Sequence, residues 1–175
     1  VKDHLNHNIW GPTGDHVRAE VANKLIEIGK DFFDSLKFPE DTELIDIKFT
    51  GSLANYNWTQ KSDIDLHLVV DFSKISKDKE MLRDYVNAKK SIWNDRHDVM
   101  IKGHEVEVYV EDINEKHYST GVYSLLNNEW IVKPNPKKPI IDNIEVLKKI
   151  NSFSERLNQL RDVYNRGDWE LAFIK

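Results

Sequence analysis

Carboxylates at alternate positions of one segment are the residues of this sequence best suited to carry chemistry. Asp63 and Asp65 open the run DIDLHLVV, in which polar and apolar residues alternate. Such alternation predicts a β-strand, so both carboxylates should project from one face of a sheet, about 6.6 Å apart along the strand. Two carboxylates brought to ~4 Å repel by about 4 kcal/mol at an effective dielectric of 20. The pair therefore indicates a site for Mg²⁺, a hard cation that binds carboxylate oxygens together with substrate phosphates.

A glycine and a serine stand just ahead of this pair, where a second predicted strand ends. Gly51 and Ser52 follow residues 43–50, a run rich in β-branched and aromatic residues. Glycine allows a backbone to approach a phosphate closely, backbone N–H groups after a strand end can bind its oxygens, and serine adds a hydroxyl donor. The dipeptide predicts a phosphate-binding turn; a plain turn is the alternative.

A third carboxylate comes from the run HEVEVYV, residues 104–110. Alternation places Glu105 and Glu107 on one face of a strand and the valines on the other. We favour Glu107 as the third acid, because it lies in mid-strand between two valines, where an ionised side chain most needs a partner. Glu105, next to a turn, remains the other candidate. A solvated strand face is the alternative explanation for all of these acids.

Taken together, these residues resemble the nucleotidyltransferase superfamily typified by DNA polymerase beta, in its small stand-alone bacterial or phage form. The resemblance covers residues 44–110. It implies that Gly51 and Ser52 bind a nucleoside triphosphate, ATP being the expected donor. It also implies that Asp63, Asp65 and Glu107 hold two Mg²⁺ ions, for which Mn²⁺ can substitute. An acceptor hydroxyl would then attack the α-phosphate and release pyrophosphate, with Glu107 as the candidate base.

The remaining sequence predicts the scaffold around this site. Apolar residues at steps of three and four predict helices over residues 17–36, 77–95 and 142–165. Turn residues predict hairpins at Lys102-Gly103 and at Asn127-Asn128. Residues 1–12 are polar and mixed and read as an arm or loop, with Thr13 or Asp15 as the cap of the first helix. This order predicts an α+β fold: a mixed β-sheet flanked by helices, of the nucleotidyltransferase type, with a C-terminal helical extension. The expected domains are residues 1–139, catalytic, and residues 140–175, a helical segment packed on them.

Composition narrows the class of protein. The 175 residues are 39% hydrophobic and 31% charged, which suits a folded domain and excludes a disordered or fibrous chain. The absence of cysteine excludes a disulfide scaffold, a thiolate zinc site and a cysteine nucleophile. No run approaches the ~18 apolar residues of a membrane span, and no secretion signal is visible at the start. We therefore expect a cytoplasmic protein with no membrane partner.

The net charge of the chain limits the kinds of acceptor that we expect. A net charge of −5 argues against broad capture of nucleic acid. We therefore expect a small molecule, a protein side chain or a short RNA end as the acceptor, and the sequence does not choose among them. It also leaves open the oligomeric state and whether a chain that starts with valine is a fragment.

Two other functions are compatible with the same residues. A nucleotide-binding or partner-binding module can keep this fold and lose turnover. In an interaction domain, the helix over residues 142–165 would dock to a partner and the acids would be incidental.

Overall fold

The computed structural model describes residues 2–116, 118–136 and 143–165. Contacts divide the chain into two units, residues 1–137 and residues 138–175. The elements in chain order are α1 (Ala19–Ser35), β1 (Asp46–Thr50), a 3₁₀ helix (Ser52–Ala54), β2 (Ile64–Val70), α2 (Phe72–Ile75), α3 (Lys79–Arg96), β3 (Met100–Ile101), β4 (His104–Asp112), β5 (Val122–Ser124), β6 (Glu129–Val132) and α4 (Asn143–Asn165).

The six strands form one mixed sheet in the order β3-β4-β2-β1-β5-β6. β2 and β4 are parallel neighbours, whereas β1 pairs antiparallel with β2 and with β5. The chain between β2 and β4 contains α2 and α3, in keeping with the long crossover that parallel neighbours need. The predicted α+β class, with a mixed sheet flanked by helices, is confirmed.

One face of the central strands lies in the hydrophobic core. Alternate residues of β2 and β4 are buried there, and the stripe of α1 that was predicted from its periodicity packs in the same cluster. The members from these three elements are Ile64, Leu66, Leu68, Val106, Val108, Val21, Leu25 and Phe32. The opposite face of β2 and β4 therefore carries the polar residues of the two alternating runs.

Residues 2–12 form a loop, which is one of the two predicted possibilities, but they are not a solvent-exposed arm. Leu5, Ile9 and Trp10 belong to the hydrophobic core, and the Trp10 ring stacks on Trp130 with a centroid distance of 4.4 Å. Trp10 also forms an isolated β-bridge with Val17, and α1 begins only at Ala19, without a side-chain cap. The predicted caps of α1 are therefore wrong as well.

The predicted hairpins and the third helix are observed. Lys102 and Gly103 have φ values of 52° and 86° between β3 and β4, and Asn128 has a φ of 55° before β6. The helix predicted over residues 142–165 is α4. Residues 140–142 and 166–175 of the predicted C-terminal segment lie outside the described ranges, and the packing of this segment stays a prediction. No helix within the described ranges has both the length and the apolar content needed to cross a membrane.

Candidate active site

Three strand ends meet at one edge of the sheet. Because β1 is antiparallel to β2 and β2 is parallel to β4, the end of β1 lies beside the starts of β2 and β4. Thr50 pairs with Asp65, and Asp65 pairs with Glu107. The register thus brings the predicted phosphate-binding turn, the central aspartate and the predicted third acid into adjacent positions.

Gly51 lies directly against the carboxylate of Asp65. Its φ and ψ are 78° and −163°, a backbone conformation that favours glycine. A Cβ atom added at this position would stand 1.8 Å from Oδ2 of Asp65, so the contact depends on the absence of a side chain. Ser52 then begins the 3₁₀ helix, in which the Asn55 N–H donates to the Ser52 carbonyl at 3.1 Å.

The 3₁₀ helix is held by residues that the sequence did not single out. The Trp10 indole N–H donates to the Leu53 carbonyl at 2.7 Å. On the other side, a Cβ at Gly121 would stand 2.0 Å from the Ala54 carbonyl oxygen, so the chain before β5 packs tightly on this turn. The sequence signal for Trp10 is a large aromatic residue next to Ile9 in a segment that is mostly polar.

The three predicted acids interact electrostatically. Burial raises the pKa of Asp65 above its usual range; the His67 side chain lowers it in part, and the carboxylates of Glu107 and Asp63 raise it further. A carboxyl group that is half-buried beside two other carboxyl groups is costly to ionise unless a cation is bound. The local field around Asp65 therefore favours a cation.

Asp63 is positioned through the residue before it. The His104 Nδ1–H donates to the Ser62 carbonyl at 2.6 Å, and the Asn6 amide donates to His104 Nε2 at 3.0 Å. This tautomer of His104 is assigned from its hydrogen-bond network. The buried His104 ring thus ties the loop that ends at Asp63 to β4 and to the N-terminal segment.

Replacing His104 by phenylalanine should lower the free energy of unfolding by about 2 kcal/mol, because the ring volume is roughly kept while the buried Asn6 amide and the partly buried Ser62 carbonyl lose their partner. Urea denaturation measures the change. His97→Phe is the matched control: His97 is exposed at the end of α3, and the loss of its hydrogen bond to the Trp93 carbonyl should lower stability by no more than about 1 kcal/mol. Equal, small effects of both substitutions would contradict this role of His104.

The two candidate third acids occupy different surroundings. Glu107 stands opposite Asp65 on the neighbouring strand, whereas Glu105 stands opposite Met100 in the β3–β4 hairpin. Glu107 also accepts a hydrogen bond of 2.5 Å from the Tyr109 hydroxyl. Burial raises the pKa of Tyr109 well above its usual range, and the Glu107 hydrogen bond and charge raise it further. Tyr109 is therefore a neutral phenol that can serve as a donor.

A second charged row, made of Lys48, His67 and Glu111, lies on the same face of the sheet beyond Asp65 and Glu107. The Lys48 ammonium contacts Glu111 Oε1 at 2.7 Å, and His67 Nδ1 contacts Glu111 Oε2 at 3.2 Å, although Glu111 is buried. Alternation along residues 63–70 puts His67 on the face of the aspartates, whereas no pattern in the sequence marks Lys48 or Glu111. A cavity of about 210 Å³ opens beside this row, lined by His67, Tyr109, Val110, Glu111, Glu115, Lys116 and Tyr118.

The donor set at the edge of the sheet suits Mg²⁺. Asp63, Asp65 and Glu107 offer only carboxylate oxygens, and Gly51 leaves the Asp65 carboxylate uncovered by a side chain. Within the described residues, no three His, Asp or Glu side chains already form a metal-ligand group. The acids are neighbours in the sheet and match Mg²⁺ in their chemistry, but their present spacing does not form a ligand group.

Comparisons with protein-family models, with curated proteins and with solved structures found no match to this chain.

Proposed function

We propose that this protein is an Mg²⁺-dependent nucleotidyltransferase with the nucleotidyltransferase type of fold. It would transfer a nucleoside monophosphate from a nucleoside triphosphate, with ATP the expected donor, to an acceptor hydroxyl. The observation that carries the proposal is the contact of Gly51 with Asp65, whose strand neighbour is Glu107. The turn proposed to bind phosphate and the acids proposed to bind metal thus share one edge of the sheet.

Each group has a role in the proposed reaction. The backbone N–H groups at Gly51 and Ser52 and the serine hydroxyl would bind triphosphate oxygens. Asp63, Asp65 and Glu107 would hold two Mg²⁺ ions, which neutralise charge on the attacking and leaving oxygens when they are bound. The acceptor oxygen forms a bond to the α-phosphorus, the bond from that phosphorus to the bridging oxygen breaks, and pyrophosphate leaves. Glu107 is the candidate to receive the hydroxyl proton.

Positioning accounts for most of such a reaction. Phosphoryl-type transfers need little covalent participation by the protein, and alignment with charge neutralisation supplies most of the rate. The parallel pairing of β2 with β4 suits this demand, because regular strands hold Asp65 and Glu107 at a set spacing.

Labelled nucleotides test the proposal. The protein is incubated with Mg²⁺ or Mn²⁺, a cell lysate and each α-labelled triphosphate, and label is sought in RNA, protein and small molecules. We expect label to move with the unaltered chain and not with the double variant Asp63→Asn/Asp65→Asn. Asp84→Asn is the matched control, because it removes a carboxylate charge from an exposed position of α3 and should leave transfer unchanged.

The outcomes separate the candidate functions. Transfer that the double variant keeps would contradict the assignment of the acids. Triphosphate binding without transfer to any acceptor would favour a nucleotide-binding module, and no binding at all would favour an interaction domain. The class of labelled product identifies the acceptor as a small molecule, a protein side chain or an RNA end.

A further inference from the structure

The Tyr109 hydroxyl is in direct hydrogen-bond contact with Glu107, a proposed metal ligand. It donates to Glu107 Oε2 at 2.5 Å, and the two residues lie two positions apart on β4, so both project from the face that carries Asp65. A hydrogen bond to an ionised carboxylate is shorter and stronger than one between neutral groups. The contact therefore restricts the rotation of the Glu107 carboxylate.

The phenol ring is itself held on both neighbouring elements. His67, which pairs with Tyr109 in the register of β2 and β4, stacks on the ring with a centroid distance of 4.8 Å and an interplanar angle of 21°. From α3, the Lys90 ammonium lies 4.2 Å from the centroid of the ring. Stacking and cation–π contacts are both attractive, and here they restrict the position of the hydroxyl.

The backbone between Glu107 and Tyr109 is fixed as well. The Asn94 side chain, also on α3, accepts a hydrogen bond from the Val108 N–H at 3.2 Å. The main chain that carries both side chains is thus anchored to α3 next to the site. Lys90 and Asn94, one turn apart on that helix, hold the Glu107–Tyr109 pair from outside the sheet.

We propose that Tyr109 is a positioning residue: it holds one oxygen of Glu107 so that the other is presented beside Asp65 for the metal. This inference rests on the proposed function for its catalytic meaning, but it makes a separate claim about metal affinity. Hydrogen-bond partners of metal ligands orient the ligand, and their removal usually weakens metal binding by about 10–100-fold.

The test is Tyr109→Phe, which removes the hydroxyl and keeps the ring that packs against His67 and Lys90. The titration of free Mn²⁺ by electron paramagnetic resonance measures metal affinity in the full chain without any need for activity. We expect the Mn²⁺ dissociation constant to rise about tenfold. In the transfer assay, the Mg²⁺ concentration for half-maximal rate should rise similarly, and excess Mg²⁺ should restore much of the rate.

Tyr85→Phe is the matched control. Tyr85 also donates a hydrogen bond of 2.5 Å, but to the Leu36 carbonyl, away from the acids. This variant should bind Mn²⁺ as the unaltered chain does. A merely structural role of Tyr109 would lower the unfolding temperature of Tyr109→Phe and leave Mn²⁺ affinity unchanged.

Each outcome bears on one claim. Unchanged Mn²⁺ affinity in Tyr109→Phe, together with lost affinity in Asp65→Asn, would overturn the role of Tyr109 and leave the proposed function standing. Mn²⁺ binding that depends on Tyr109, without transfer of any nucleotide, would support the positioning role and overturn the proposed function. An unaltered chain that fails to bind Mn²⁺ would overturn both.

Discussion

Replacing Asp65 by asparagine should stabilise the metal-free protein while it removes nucleotide transfer. Burial and the neighbouring carboxylates raise the pKa of Asp65, so its ionised form destabilises the fold at neutral pH. A neutral amide of nearly the same shape removes that penalty, and we expect the free energy of unfolding to rise by about 0.5–2 kcal/mol. Transfer should fall by about 10³-fold, because a central ligand of the proposed metal site is lost.

The effect of Asp65 on the free energy of unfolding depends on pH, and its sign follows from the raised pKa. Since the folded-state pKa of Asp65 lies above its unfolded value, the unaltered protein loses stability as pH rises through that interval. The stability advantage of Asp65→Asn should therefore be full at neutral pH and disappear as pH falls through the raised pKa. Urea titrations of both proteins at several pH values measure the difference.

Mg²⁺ should reverse the order of stability. A ligand that binds only the folded state stabilises it by about 2.7 kcal/mol at 100 times its dissociation constant. Added Mg²⁺ is thus expected to stabilise the unaltered chain and to leave Asp65→Asn unchanged. Asp84→Asn, exposed on α3, should behave as the unaltered chain does at every step. If Asp65→Asn were less stable than the unaltered chain at neutral pH without metal, the electrostatic account of the site would be wrong.

Gly51→Ala should remove metal binding and transfer while the fold persists. The new Cβ would stand 1.8 Å from Asp65 Oδ2, so the carboxylate must rotate away from the turn. A displacement of about 1 Å in a catalytic group can lower the rate by about 10²-fold, and we expect at least that loss. The φ of 78° and ψ of −163° should lower the free energy of unfolding by a further ~1–3 kcal/mol, because this backbone region is essentially restricted to glycine.

The variant Gly103→Ala separates the backbone strain from the displacement of the Asp65 carboxylate. Gly103 also has a left-handed φ, of 86°, but a Cβ there has nothing within 4 Å. This variant should show the strain without any change in Mn²⁺ affinity or transfer. If Gly51→Ala bound Mn²⁺ as well as Gly103→Ala did, the contact between the turn and Asp65 would have no functional role.

Local patterns predict much of this fold because they report local physics. The alternation around Asp65 and Glu107 determines which face of each strand is buried, and turn residues such as Gly103 mark the hairpins. The register between β2 and β4 does not follow from such local patterns. It depends on how residues 71–103 cross between the two strands, and no short-range pattern encodes that pairing.

The supports of the candidate site were missed for the same reason. Trp10 and His104 each contact a residue far away in the chain, Leu53 and Ser62 respectively. Lys48 and Glu111 form their ion pair across β2, which separates their strands. A polar or charged residue in a strand reads as solvent-exposed when its partner is not known, so sequence periodicity assigns such residues to the surface.

The position of Trp10 in the core also affects when residues 1–137 can fold during synthesis. Its ring packs on Phe49 and on Trp130, so an early residue of the described chain completes its contacts only with one of the last strands of the sheet. Contacts so distant in sequence slow folding, because the intervening chain must be ordered before they form. On the ribosome, the contact between Trp10 and Trp130 can therefore form only after β6 has emerged.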